Sequence, residues 1–444
     1  MAPDGSAIAG AAESWTVSKD WLTYDFVIRK SAKFHNGDPV TAEDVKFSFD
    51  RYRGASATLL KARVARVETP DPHRVRIVLK QPWADFMTFY ATPATGAAWI
   101  VPRKYVEKVG DDGFKKAPVG AGPYKFVSFK PGVELVLEAN EGYWRKVPSV
   151  KTLVFRVITE ESTRLAALKR GEVDIVYSIT GPLAEDLRKT PGLRLAGVHP
   201  PFTVWLYPTE QWDPKSPWSD VRVRRAASLA IDRTGINQAQ YLGLARYAWS
   251  IVPEIQEYFW APPPLTFDPR RARQLLVEAG YPNGFDGGEV VGDTIYGASI
   301  GEPAVNFLQA VGIRTSLRPM ERAAFTAAFG EKKIRGLIVA SSGASGNAAT
   351  RLESFAITGG RFAYGAYPDI DGLFAEQINE RNPRVRKQLL DRVQQLVSER
   401  HVFIPVMGSV FLNGVGSRPE VDGFGLVAAY PYSAPYEDLK LKKK

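Results

Sequence analysis

Apolar positions in this chain fall into two rhythms that alternate from end to end. Leu22, Tyr24, Phe26 and Ile28 lie at every second residue and predict a strand over 22–29, with a shorter strand over 15–17 before it. Thr41, Ala42, Glu43 and Asp44 then supply a hydroxyl N-cap and a first-turn carboxylate, opening a helix with Val45 and Phe49 on one side. Val75, Ile77 and Leu79 restore the two-residue rhythm over 74–79, and an aromatic-rich run follows at 83–99. Further strands are expected at 133–137, 153–157 and 173–177, with a short helix over 161–170 closed by Gly171.

The second half is helix-rich. Asp220 caps a helix over 220–233 with Val221, Ala227 and Ala230 inward. Asp268 caps the next, Pro269 takes its first position, apolar residues recur at helical spacing through Leu275, Leu276 and Ala279, and Gly280 ends it. Asn382 and Pro383 open a third, with Val385, Leu389, Val393, Leu396 and Val397 inward, before a strand over 402–407. Strands alternating with helices predict an α/β fold.

Length and composition narrow the function. With 444 residues, 45% of them hydrophobic, the chain can bury two sizeable cores. The net charge of +10 comes from 58 Lys and Arg against 48 Asp and Glu, interleaved along the chain. Only the tail at 440–444 is a basic run, which reads as a solvated terminus, and no nucleic-acid motif is present. With no cysteine, disulfides, thiolate metal sites, Cys nucleophiles and a lipid-bearing Cys are all excluded. The four histidines, His35, His73, His199 and His401, are too far apart in sequence for a local metal motif. No apolar run reaches the roughly 18–20 residues of a membrane span, and the first 20 residues lack the basic start and apolar stretch of a signal peptide.

Patterns for catalysis are scarce. Residues 343–346 (GASG) stop one short of a nucleophile elbow and read as a loop. Residues 120–123 (GAGP) form a turn, since Pro123 interrupts any phosphate-binding glycine pattern. His35 reads as a turn and packing residue, and the pairs Asp111/Asp112 and Glu160/Glu161 are explained by solvation or helix starts. No nucleophile stands beside a base, so no enzyme and no cofactor is expected.

The segment 12–51 as a whole, with 120–124 (GAGPY), 140–144 (NEGYW) and 164–174 (RLAALKRGEVD), resembles the peptide/nickel-type solute-binding receptors of ABC importers, extracellular solute-binding protein family 5. The resemblance covers nearly the whole chain. It implies a bilobed periplasmic-binding-protein-like fold of the large type II kind, with lobe I at 1–200, lobe II at 201–405 and a return to lobe I at 406–444. Two crossings near 200–207 and 404–408 would join lobes that close on ligand. Against the family's usual length the chain is expected to lack an N-terminal segment, including the first strand of lobe I.

The family also implies partners: a small solute, permease subunits of an importer, a periplasmic location and a monomer that meets the membrane only through its permease. Peptide-binding members hold the peptide's ammonium with an Asp in the loop matching 337–352 and its carboxylate with an Arg just upstream. This sequence has Ser341, Ser342, Ser345 and Asn347 in that loop, no Asp between Ile338 and Thr350, and an apolar Phe325–Phe329 stretch near the expected Arg. A buried ammonium without a carboxylate costs several kcal/mol, so a zwitterionic dipeptide is disfavoured. Expected ligand contacts are Ser341, Ser342 and Asn347 as hydrogen-bonding groups, Trp99, Trp205 and Tyr207 as apolar walls, and Arg351 as an anion partner if it is not simply an exposed loop residue. The rivals are a receptor for extended chains or for signalling, and a hydrolase on the same scaffold.

Overall fold

The computed structural model describes residues 8–442 except 55, 93–94, 201, 294–296, 343–345, 409 and 420–435. The chain divides into two compact units, Met1–Val198 with Phe411–Lys444, and His199–Val410.

In the first unit, Ala12–Val17, Thr23–Ile28, Arg74–Leu79 and Val64–Asp71 pair in that order as an antiparallel sheet. The two-residue rhythm places Tyr24, Phe26, Ile28, Val75, Ile77 and Leu79 on one covered face. The helix Ala42–Arg51 adds Val45 and Phe49 to that core. The Asp44 carboxylate fixes its start, accepting from Thr41 N at 2.9 Å and Thr41 Oγ1 at 2.7 Å. The aromatic run forms a short helix, Phe86–Tyr90, whose two end rings stack at 5.2 Å. Two three-stranded sheets complete the unit: Tyr124–Lys130, Glu134–Ala139 and Thr152–Arg156, and Ile175–Val176, Phe411–Val415 and Arg194–Val198. The strand expected over 173–177 is thus only two residues long. His35 is the turn residue expected, since its Nδ1 accepts from Gly120 N at 3.2 Å and its Nε2 lies 3.1 Å from Gly122 O.

The second unit is built on a five-stranded sheet in the order Ile313–Met320, Phe285–Asp293, Leu337–Ser342, Thr203–Pro208, Ile404–Gly408. The first three strands are parallel, and Thr203–Pro208 runs antiparallel to both its neighbours. Buried on both faces, the central strands are continuously apolar, as in LIVA at Leu337–Ala340. Helices Val221–Ala230, Pro269–Glu278 and Pro383–Glu399 are capped by Asp220, Asp268 and Asn382, each accepting a backbone N–H through its side chain.

Two helix phases differ from expectation. Val221 and Val385 are exposed, while Val223 and Ala226 in one helix, and Arg386 and Leu390 in the other, face inward. In the second helix the mislead is Arg386, a charged residue on the buried face, held by Nε donation to Gln377 Oε1 at 3.0 Å.

Candidate functional site

Strands Phe285–Asp293 and Leu337–Ser342 end at one edge of the five-stranded sheet, where Ile404–Gly408 also ends and Thr203–Pro208 begins. Thr203 is the register partner of both Ser342 and Gly408. In open α/β sheets the ligand crevice forms outside the carboxyl ends of the strands. A cavity of about 190 Å³ lies at this edge, lined by residues that include His199, Thr203, Arg246, Tyr247, Trp249 and Gly408.

Local chemistry explains how the cavity is built. After helix Arg233–Tyr241 the chain turns at Leu242, with φ 55°, and Gly243, with φ 75°. It then lies along the strand end, where Gly408 N donates to Arg246 O at 2.8 Å. A Cβ on Gly408 would stand 3.1 Å from that same oxygen, so glycine permits the close approach. Thr203 Oγ1 donates to Ile251 O at 2.7 Å and pins the far side of the loop. Between these anchors the Tyr247 and Trp249 rings stack at 5.3 Å, 4° from parallel.

The cavity lining carries both signs of charge, with Arg246 and the Glu254 carboxylate on it. Burial, and secondarily the Arg246 charge, lower the pKa of His199, whose Nδ1 is buried with no hydrogen-bond partner. Arg246 itself is exposed. A flat aromatic wall beside an imidazole and a guanidinium suits a ring or a planar oxygen-bearing group.

The structure gathers four of the sequence-derived residues at the same edge. Ser341 and Ser342 are half-buried at the strand end. Asn347 is the N-cap of helix Ala348–Phe355, its Oδ1 accepting from Thr350 N at 3.2 Å and its Nδ2 3.5 Å from Glu257 Oε2. Its carboxamide is therefore occupied by the helix start. Arg351 is on this helix rather than on an exposed loop, a correction of the alternative weighed above. It is 3% exposed, and its Nη1 donates to Ser342 O at 3.0 Å. Ser345 and most of the GASG run lie outside the described residues.

The three aromatics are placed differently. Trp205 and Tyr207 are fully buried in the core of the second unit. Trp205 meets Phe355 edge-on at 5.1 Å, and its Nε1 has no hydrogen-bond partner. The Tyr207 hydroxyl accepts from Tyr364 N at 3.0 Å, and burial pushes its pKa up to about 12. Both are mid-strand, where neighbouring strands and helices cover each face. Trp99 belongs to the first unit and is 66% exposed, beside Gly96.

Sequence reasoning missed His199, Arg246, Tyr247 and Trp249. The available signal was two aromatics and an arginine within the short run ARYAW, directly after a helix. Their convergence with His199 depends on the strand pairing of Thr203 with Gly408, which no local pattern reveals.

Comparison with known proteins agrees with this architecture. The glutathione-binding protein GsiB of Salmonella choleraesuis is 29% identical, over 97% of this chain and 85% of its own length. The solute receptor MoaA from A. tumefacien R10, solved with mannopinic acid, superposes with a TM-score of 0.80 at 25% identity, over 99% of this chain and 91% of that one. NikA from Brucella suis, solved with Fe(III)-EDTA, gives 0.83 at 22%, over 99% and 92%. The fold is that of the bilobed periplasmic binding proteins, a class that captures solutes. Residues 7–361 match the model of the bacterial extracellular solute-binding proteins, family 5 middle region, and the chain belongs to that family. It is a substrate-binding protein of an ABC importer, and the hydrolase alternative has no support.

Proposed function

We propose that this protein takes up a small solute at the carboxyl edge of the five-stranded sheet, without converting it, and passes it to a membrane permease from the periplasmic side. The observation that carries the reading is the built cavity at that edge, lined by a stacked aromatic pair, an imidazole, a guanidinium and the Glu254 carboxylate. Placed polar groups in a shielded pocket fix orientation, and the surrounding apolar surface supplies affinity.

Tyr247 and Trp249 form the flat wall, His199 and Arg246 offer donors and Glu254 an acceptor, while Ser341 and Ser342 lie at the neighbouring strand end, outside the cavity lining. Asn347 positions the helix that carries Arg351. A volume of about 190 Å³ seats a ring or head group, with the rest of the solute outside it. The absent Asp in the 338–350 stretch disfavours a free peptide ammonium here. Fe(III)-EDTA, named with one relative, has no ammonium and is the first compound to try, with glutathione and mannopinic acid, which each carry an amine, as the contrast.

Native mass spectrometry of the purified chain, followed by denaturation and identification of any released molecule, tests the reading. A stoichiometric small-molecule adduct, or a melting shift of several degrees with one compound of a solute panel, is the expected result. A chain that carries nothing and responds to no solute, with or without Trp249→Ala, contradicts it.

A further inference from the structure

The cavity at the sheet edge has a neighbour. Beside it lies a hollow of about 20 Å³, whose lining includes Ile251, Leu265, Leu352, Val397 and Phe403. Two residues, Trp249 and Pro262, line both spaces and so stand between them. Two polar side chains of the hollow are already engaged. Gln394 Nε2 donates to Tyr258 O at 2.9 Å and Leu390 O at 3.2 Å, and its Oε1 accepts from Trp260 N at 3.2 Å. Ser250 Oγ accepts from Val252 N at 3.0 Å. That leaves the Ser398 hydroxyl and the His401 ring, which is neutral at pH 7 because burial pulls its pKa down to about 4. A space of this size admits one water-sized group, and one so short of open polar partners suits a methyl or methylene better than water.

The two shared residues differ in what they can do. Pro262 opens the run Pro262, Pro263, Pro264, where each ring fixes its own φ, so that part of the wall is rigid. Trp249 is an indole on two rotatable bonds. Its backbone is pinned on each side, by Gly408 N donating to Arg246 O at 2.8 Å and by Thr203 Oγ1 donating to Ile251 O at 2.7 Å. Its ring stacks on Tyr247, whose hydroxyl lies 3.3 Å from Thr234 Oγ1. The chain is held, and the indole is the part of the wall that side-chain rotation can move.

We propose that Trp249 is the length gauge of the solute site: its indole closes the sheet-edge cavity off from the apolar hollow, so the solute end that enters is a compact ring or planar head group without an alkyl extension. The inference rests on the receptor reading above and narrows its substrate class. An extended solute reaches the hollow only by displacing the indole from Tyr247. A smaller residue at 249 merges the two spaces, and each methylene then buried among Leu265, Leu352 and Val397 strengthens binding severalfold.

The test uses the full chain and three probes: benzamide, 4-butylbenzamide and indole. Benzamide presents a flat ring to the Tyr247–Trp249 pair, a carbonyl to Arg246 and an N–H to Glu254. By ligand-observed NMR titration, the parent is expected to prefer benzamide over the butyl compound roughly tenfold, and Trp249→Ala to reverse that preference by roughly tenfold or more. Indole should raise the melting temperature of Trp249→Ala, whose wall it replaces, and leave the parent unchanged. Adding Leu265→Phe to Trp249→Ala refills the hollow and should remove most of the butyl preference, a response that a Trp249 serving only the fold would not produce. If Trp249→Ala does not fold, Trp249→Leu carries the same comparison with a smaller shift. A parent that binds both benzamides equally overturns the gauge. So does a folded variant that keeps benzamide and gains nothing from the butyl tail. If no chain binds either benzamide while indole still stabilises Trp249→Ala, the partition is intact but the ring-binding receptor reading fails, and the length limit fails with it.

Discussion

His401 stands in the left-handed region at φ 44°, between the end of helix Pro383–Glu399 and the strand Ile404–Gly408. Burial first, and then the charges of Arg225, Arg224 and Arg233, pull its pKa down to about 4. The unfolded chain takes up that proton near pH 6.5, so between the two values the unfolded state binds more protons than the native one. Stability from this group is full above about pH 6.5 and is lost as pH falls toward about 4, roughly 3 kcal/mol across the window. Urea unfolding of the parent should show that decline, and His401→Gln should flatten it. An unchanged pH slope in the variant would show that another group carries the effect. This residue also marks a limit of sequence reading. Nothing in the run RHVF signals three arginines around one imidazole, and the burial of Arg351 was equally silent, because an arginine beside a polar loop has the same sequence whether it faces water or a core.

Among the elements, the junction of the two parallel strands Phe285–Asp293 and Ile313–Met320 is unusually tight. Phe285 N donates to Gly312 O at 3.1 Å, and a Cβ on Gly284 would fall 1.9 Å from that carbonyl, with φ at 72° besides. Gly280, at φ 95°, has open space around its missing side chain. Gly280→Ala should therefore cost only the backbone strain, about 1 kcal/mol, while Gly284→Ala should cost more than about 2 kcal/mol because backbone must move. Equal losses in chemical denaturation would contradict the close approach. Gly280 was legible as a helix end, as were the caps Asp220, Asp268 and Asn382, since each depends on residues a few positions away. Helix phase was less legible: Val385 and Leu389 obey the spacing as well as Arg386 and Leu390 do, and only the tertiary partners Gln377 and Tyr258 decide between them. The cavity was illegible for the same reason, being assembled from His199, the 246–249 loop and Gly408 through long-range pairing.

At the scale of the whole molecule, the second unit is one unbroken run, His199–Val410, that interrupts the first. Where it departs and returns, the chain is paired on both sides: Val198 is the register partner of Phe411 in the first unit, and Thr203 that of Gly408 in the second. Antiparallel partners are only about 5 Å apart. Deleting 199–410 and joining Val198 to Phe411 through a two-residue Asn-Gly turn should leave a plain β-hairpin and a folded first unit. The excised 199–410 fragment should unfold cooperatively by itself, as a unit with its own core is expected to. Circular dichroism and heat denaturation of the two pieces would check this, and a fragment without a cooperative transition would rule it out. The protein is in this sense a host with a guest, spliced at a single doubled seam. If both pieces fold alone, such a guest would be exchangeable among hosts by editing only the seam, with neither core redesigned.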